Sequence, residues 1–431
     1  MPTKRLAGLT QSNGIRLNGA AYDQHMVATL IPILQAMIDP TAAEVTVDRL
    51  YDAVNGYPGF TGTGTVFDNN TMTKGANFYS HANEDYFFQP TDPADPEWNN
   101  FLSWPASTRQ TTVETWMTGT VPTQLAEVGA FYIFHSEYDS QAPGVNAWIR
   151  DDPRVLERGW RRRIDRMRTV CSKTAAQTPL LLVGPILFSS GSNEGFELVR
   201  EAFERLAQDS SLNAFWVNEA SLDFEWDGDS PGSYGSHATP ADMQLAARRL
   251  APAFARVLGP RWAPNSYAAG RHYPGSNPRI GWAQRTSDTN IRCFIQHEGG
   301  SDFTLPGSPL ASWKCFYGGH GLREIASIAN QQVISVSAVT KVDYRTIDVT
   351  LGSACPVAEG LRICYGWGNS RLQTGNAIYD NRDGVAWTNR VLPSNVTGSD
   401  RIKGALARTP ARGLAVSNDP PPLWAIGPAL V

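Results

Sequence analysis

Gly129-Ala130-Phe131-Tyr132-Ile133-Phe134 is an unbroken apolar run, and its reading decides the fold. A strand with one wet face alternates apolar and polar residues. A strand buried on both faces does not alternate, and the usual place for one is the centre of a parallel sheet covered by helices. Working outward, Arg5-Leu6-Ala7-Gly8-Leu9 and Leu180-Leu181-Leu182-Val183 read the same way, with Val45 to Val54 and Ala214-Phe215-Trp216-Val217 as further strands. Helical patterns lie between them. Met26 to Ile38 sets Leu30, Ile33, Leu34 and Met37 on one face, and Arg154 to Ala175 and Glu194 to Ala207 follow. Thr239-Pro240 opens a last helix, with Thr as N-cap, Pro at the first helical position and Asp242 in the first turn. That helix is expected to run to Leu258 and to stop at Gly259-Pro260. Alternation of this kind predicts an α/β fold, a parallel sheet in three layers, over residues 1–262.

The pattern fails between Gly56 and Pro105, where Gly, Thr, Asn, Asp and aromatic residues dominate. An insert of that length reads as a functional loop over a site (about 56–105). Its aromatic residues, among them Phe78, Tyr79, Tyr86, Trp98 and Trp104, suit stacking on sugar rings. From Ala263 onward, short β-rich runs separated by turn residues replace the helices. They include Ile291 to Ile295, Val333 to Ser337, Thr346 to Leu351 and Leu361 to Tyr365. Residues 263–431 therefore read as a β-sandwich, ending in a Pro-rich extended tail after Asp400.

Composition narrows the function. The chain has 431 residues, enough for two domains, and 42% of them are hydrophobic, enough for sizeable cores. A formal net charge of −4 argues against a nucleic-acid partner, which normally needs a basic surplus. The stretch Arg158 to Arg168, with Arg161-Arg162-Arg163, is accordingly read as a solvated helix face. No apolar run is long enough for a membrane span, and the start of the chain shows no apolar h-region of a signal peptide. Synthesis in the cytoplasm is the expectation. Five irregularly spaced cysteines fit neither a zinc site nor a disulfide framework, and are read as reduced, buried thiols. His297, Glu298 and Asp302 read as turn residues rather than metal ligands, so no metal and no cofactor are expected.

Four short segments carry chemistry. Gln11-Ser12-Asn13 follows the first strand, and Val54-Asn55-Gly56 follows the second. His135-Ser136-Glu137-Tyr138-Asp139 follows the apolar run, where open α/β sheets build sites. Gly235-Ser236-His237 precedes the last helix. Taken singly, each has a plain alternative: a capping serine, a turn glycine, a solvated loop, an exposed histidine. Their order adds weight, since a serine nucleophile and its histidine base usually come from distant parts of a chain.

In that order the segments resemble the SGNH (GDSL-like) hydrolase superfamily, and most closely its sialate O-acetylesterase-like carbohydrate esterase branch. Thr10-Gln11-Ser12-Asn13 stands where that branch has Gly-Gln-Ser-Asn, and His135 to Asp139 stands where it has Gln-Gly-Glu-x-Asp. His237 matches the histidine of its Asp-x-x-His. The resemblance implies a flavodoxin-like α/β/α esterase domain. Ser12 is then the nucleophile and His237 the base. The oxyanion hole draws on Ser12, Gly56 and His135, with Asn13, Glu137 and Asp139 in support. The sequence departs from the branch at Thr10, His135 and Ser136, and at Tyr234, where the branch has the aspartate that orients the histidine. Asp229 or Asp227 on the loop upstream, or a backbone carbonyl, is left to orient His237.

The implied reaction removes O-acetyl groups from a carbohydrate or polysaccharide. A polysaccharide enzyme made without a secretory signal fits a phage tail component released by lysis, with homo-oligomer or tail-assembly partners. The alternatives are a non-catalytic carbohydrate-binding or structural protein on a degenerate esterase scaffold, and a hydrolase of lipid or peptide esters.

Overall fold

The computed structural model describes residues 1–10, 17, 25–52, 57–58, 122–134, 140, 154–187, 193–224, 238–267, 277–298, 300–318, 332–358, 360–368, 372, 375–381 and 404–423. They form an α/β region followed by a separate mixed β-sheet region.

Five parallel strands make the first sheet: β1 (Thr3–Thr10), β2 (Thr46–Arg49), β3 (Val128–Phe134), β4 (Leu180–Val183) and β5 (Ala214–Asn218). Their spatial order is β2-β1-β3-β4-β5, the doubly wound arrangement whose direction of winding reverses between β1 and β3. The apolar run is indeed central, and every residue of β3 is buried. Expected strand 45–54 is shorter than its apolar content suggests. β2 stops at Arg49, and Tyr51–Asp52 turns away to pair with Tyr57–Pro58 instead.

Helices cover both faces. α1 (Ile31–Ile38), entered through a π-helical turn (Met26–Leu30), and α4 (Pro240–Trp262) bury Leu34, Met37, Met243 and Leu250 against Tyr132 and Leu181. α2 (Val155–Val170) and α3 (Asn193–Gln208) bury Trp160, Ile164, Phe203 and Leu206 against Phe131 and Leu182. Adjacent residues of one strand thus serve opposite cores, as the pleat requires. Arg168 corrects the reading of the basic helix as a solvated face. It is buried, and its guanidinium donates to the carbonyl oxygens of Thr178 (2.8 Å) and Leu212 (2.7 Å), tying the end of α2 to the entries of β4 and β5.

α4 begins as its sequence predicts. Asp242 N–H donates to the Thr239 hydroxyl (3.1 Å), and Thr239 N–H donates back to the Asp242 carboxylate (2.9 Å). Its end differs from expectation, since the helix passes Gly259-Pro260 and stops at Trp262. A proline in the last turn forfeits only one hydrogen bond. Gly259 meanwhile admits the Tyr267 ring, one carbon of which lies 2.2 Å from where a Cβ would stand.

Gly8 has a similar role in β1. A Cβ there would lie 2.4 Å from the hydroxyl of Tyr132, its register partner on β3. Tyr132 is buried and packs at 5.7 Å from the Phe254 ring of α4, so it has little room to yield. A strand glycine costs up to about 1 kcal/mol in propensity. Overpacking costs about 1–3 kcal/mol. Gly8→Ala is therefore expected to lower the thermal unfolding midpoint; an unchanged or raised midpoint would refute this account.

The second region corrects the β-sandwich expectation. Among the described residues one continuous eight-stranded sheet is accompanied by a small two-stranded one (Phe303–Thr304 with Tyr379–Asp380), where a sandwich would have two sheets of comparable size. Its strands are β6 (Arg279–Ser287), β7 (Asn290–Gln296), β8 (Trp313–Tyr317), β9 (Gln332–Ile334), β10 (Val336–Lys341), β11 (Thr346–Leu351), β12 (Leu361–Tyr365) and β13 (Leu414–Ser417). They lie in the order β9-β8-β12-β13-β6-β7-β11-β10. The sheet curls, so that Cys315 and Ile363 from one half share a core with Cys293 and Ile347 from the other. Residues 414–417 of the expected tail form a strand inside this sheet, antiparallel to β12 and parallel to β6.

The outer faces of β8 and β12 turn the other way. Phe316 and Cys364 join the core beneath α2 and α3, which binds the two regions together. All five cysteines are free and buried. Burial pushes the Cys171 and Cys315 thiols up to about 12, which keeps them protonated and unreactive. Among the described residues no helix is long and apolar enough to cross a membrane.

Candidate functional site

Ser12, Asn13, Gly56, His135, Glu137, Asp139, Asp229 and His237 all lie outside the described residues. The structure does describe the elements that lead into these segments. Thr10 and Phe134, the last residues of β1 and β3, are paired in register. The chain therefore leaves two neighbouring parallel strands at one level, on either side of the point where the winding reverses. Open α/β sheets bind ligands in the crevice at that point, outside the carboxyl ends of the strands. β2, which precedes Gly56 in the chain, pairs with the other side of β1. Ala238, through which the chain enters α4, is buried in the same apolar cluster as Leu17 and Phe134.

The loop after β5 holds an acid that sequence reading missed. Asp223 is buried and accepts both Arg249 guanidinium nitrogens of α4, at 2.5 and 3.0 Å. It also accepts the Tyr379 hydroxyl at 2.6 Å. Burial alone would raise its pKa, but the charge and hydrogen bonds of Arg249 outweigh burial and hold it below the usual carboxylate value. Asp223 is thus committed to joining the two regions.

The His297, Glu298 and Asp302 group is committed as well. His297 Nε2 lies 2.7 Å from the Tyr344 carbonyl oxygen, Glu298 pairs with Arg256, and Asp302 pairs with Lys341 at 2.5 Å. Among the described residues no group of three or more His, Cys, Asp or Glu side chains is arranged to hold a metal ion.

A second polar assembly lies where α3 meets residues 404–413. Arg200 is buried and donates to Glu197 (2.7 Å) and to the Thr409 carbonyl (2.6 Å), with Glu219 at 3.6 Å. Glu197 accepts the Gly368 N–H (2.6 Å), and Glu219 accepts the Arg408 N–H (3.1 Å). Glu204 accepts the Ala411 N–H (2.9 Å). The sequence carried a sign of this. Glu197, Arg200, Glu201 and Glu204 follow helical spacing on α3 beside the apolar Phe196, Val199 and Phe203, giving a second charged stripe. Residues of this assembly line a cavity of about 480 Å³ between β5 and the β region.

Burial pushes the Glu204 carboxyl up to about 7 from the ordinary 4.5, against the pull of Arg200. For an acid the sign is clear. The folded protein holds the proton more tightly than the unfolded chain, so stability is greatest in acid and falls as pH rises from about 4.5 to about 7. Solvent still reaches 23% of that side chain, which reduces the effect. Glu204→Gln keeps an oxygen for Ala411 and cannot ionise. It is expected to be more stable than the parent at pH 8 by about 2 kcal/mol, with no gain at pH 4. Urea unfolding at the two pH values reads this directly; an equal gain at both would overturn it.

No protein-family model matches the chain, and no curated protein matches it. Among solved structures it is similar to a carbohydrate acetylesterase from Xanthomonas citri, at 14% identity and a TM-score of 0.38, over 58% of this chain and 48% of that one. It is also similar to the N-terminal part of the bacterial S-layer protein SbsC, at 8% identity and a TM-score of 0.14, over 71% of this chain and 46% of that one. The chain thus spans about half the length of each of these proteins.

Proposed function

We propose that this protein is a serine esterase that removes short acyl groups, acetyl above all, from a carbohydrate. The observation that carries the reading is the register pair Thr10–Phe134 in a sheet ordered β2-β1-β3-β4-β5. The segment with Ser12 and the segment with His135 directly follow two strand ends that are hydrogen-bonded neighbours at the reversal point. Segments that leave neighbouring strand ends at such a point border the crevice in which open α/β sheets build their sites, which supports the reading.

In the proposed reaction, Ser12 Oγ attacks the ester carbonyl carbon while His237 takes its proton. The N–H groups of Ser12 and Gly56, with the His135 ring, hold the negative oxygen. The tetrahedral intermediate collapses, and the sugar hydroxyl leaves with the proton from His237. Water, deprotonated by His237, then attacks the acyl-serine and releases acetate and free Ser12. Asp229 orients the His237 ring, while Asn13, Glu137 and Asp139 support the loops. This chemistry requires neither metal nor cofactor. The β region presents the enzyme to a polymeric substrate.

The test is release of acetate from an acetylated polysaccharide, alongside hydrolysis of p-nitrophenyl esters of increasing chain length. Acetyl esters are expected to turn over fastest. Preference for long acyl chains would replace the carbohydrate reading with a lipid one. A correctly folded protein with no turnover of any ester would end the catalytic reading.

A further inference from the structure

The cavity of about 480 Å³ between β5 and the β region lies at the outer edge of the parallel sheet. Two other strands, β3 and β4, separate β5 from β1. Its size falls within the range of small-molecule sites, roughly 300–1,000 Å³. Its walls are of two kinds. Trp216 supplies a half-buried aromatic surface, with Val217, Ile280 and Leu414 beside it. Asn277, Arg279, Gln296, Glu204 and Gln208 supply planar polar groups, a mixture of donors and acceptors.

Charge decides what such a site accepts. The two buried arginines on its wall are already neutralised, Arg200 by Glu197 and Glu219 and Arg408 by Glu219. Arg408 Nε is further spent on the Gly366 carbonyl, at 3.0 Å. The third lining cation, Arg279, is exposed and donates to the Gln296 side-chain oxygen, while Arg200 Nε and Arg408 Nη2 stay buried as donors without a partner, so the buried charge is balanced and the open needs of the wall are for acceptors. A neutral ring suits the walls better. Its hydroxyls donate and accept at once, and its C–H face is apolar enough to lie on an indole.

We propose that this cleft binds a neutral saccharide unit, at a site separate from the strand ends that lead to Ser12. Two observations at Gln296 support a built site. Gly281 lies on the wall, and a Cβ there would stand 2.7 Å from the Gln296 side-chain carbonyl carbon, so the glycine keeps Gln296 in place over the cavity. Gln296 is itself held by Arg279 Nε at 2.9 Å. The proposal does not depend on hydrolysis at Ser12.

The test uses the full chain and saturation-transfer NMR with glucose, N-acetylglucosamine and their short oligomers at millimolar concentrations. Acetate and inorganic phosphate serve as anionic competitors. At least one saccharide is expected to bind, with no displacement by either anion. Gln296→Ala and Gly281→Ala are expected to weaken binding about tenfold or more while the unfolding midpoint stays within a degree or two of the parent. Both sit at the cavity rim, so they test the site even if Trp216→Ala fails to fold. Ser12→Ala is expected to bind as the parent does, which separates failure here from failure of the esterase reading. No saccharide binding, displacement by an anion, or full binding by both rim variants would each overturn the proposal.

Discussion

Ser12→Ala is expected to reduce hydrolysis of p-nitrophenyl acetate by about a thousandfold or more. In the proposed mechanism the alanine removes the atom that forms the acyl bond, while the proposed oxyanion donors and substrate binding persist and leave a small residual rate. Residues that act as one unit do not add, so His237→Ala and the Ser12→Ala/His237→Ala double variant should fall to about the same level. His135→Ala should lose roughly a hundredfold, the usual cost of one oxyanion donor, and mainly in kcat. These variants separate catalysis from a binding protein on the same scaffold. Equal turnover by parent and Ser12→Ala, with both folded, would remove Ser12 from the mechanism. Loss in Ser12→Ala with none in His237→Ala would point to a different base.

The second large effect concerns Arg200. Arg200→Leu is expected to destabilise the protein by about 3–5 kcal/mol, the range found when one partner of a buried ion pair is removed. The leucine leaves Glu197 and Glu219 as neighbouring buried carboxylates without their shared cation, and leaves the Thr409 carbonyl without that donor. Coulomb repulsion and desolvation then act together. Arg205 is the control. It pairs with Glu201 at 2.5 Å, but 22% of its side chain stays exposed, so Arg205→Leu should cost about 1 kcal/mol. Because residues 404–413 are held to α3 through this assembly, the Arg200 variant is also expected to unfold in two resolved steps rather than one. A loss below about 1 kcal/mol for Arg200→Leu would show that the assembly contributes little.

Local chemistry was legible in the sequence. The apolar run 129–134, the buried runs at Leu6 and Leu180–Val183, and the Thr239-Pro240-Asp242 helix start all depend on periods and caps within a few residues. What failed depends on distant partners. Nothing within Leu414–Ser417 shows that it will pair with Arg362–Ile363 on one side and Ala283–Gln284 on the other. Arg168 reads as one cation among many in a basic run until the carbonyls of Thr178 and Leu212 arrive beside it. Gly259-Pro260 reads as a stop because the Tyr267 ring that fills the glycine's space comes from outside the helix. For the candidate site, sequence supplied the residue types and their order, and the sheet supplied the adjacency of the strand ends that precede two of them.

The position of β13 has a consequence for synthesis. A growing chain has produced β6 to β12 well before the strand that joins the halves leaves the ribosome. Until then β12 and β6 each present a row of unpaired N–H and C=O groups, a ready template for another chain. Chains crowded on one message are therefore exposed to mutual zippering at this seam. Truncation before Leu414 is expected to leave the open seam permanently, yielding aggregates rather than a smaller soluble protein.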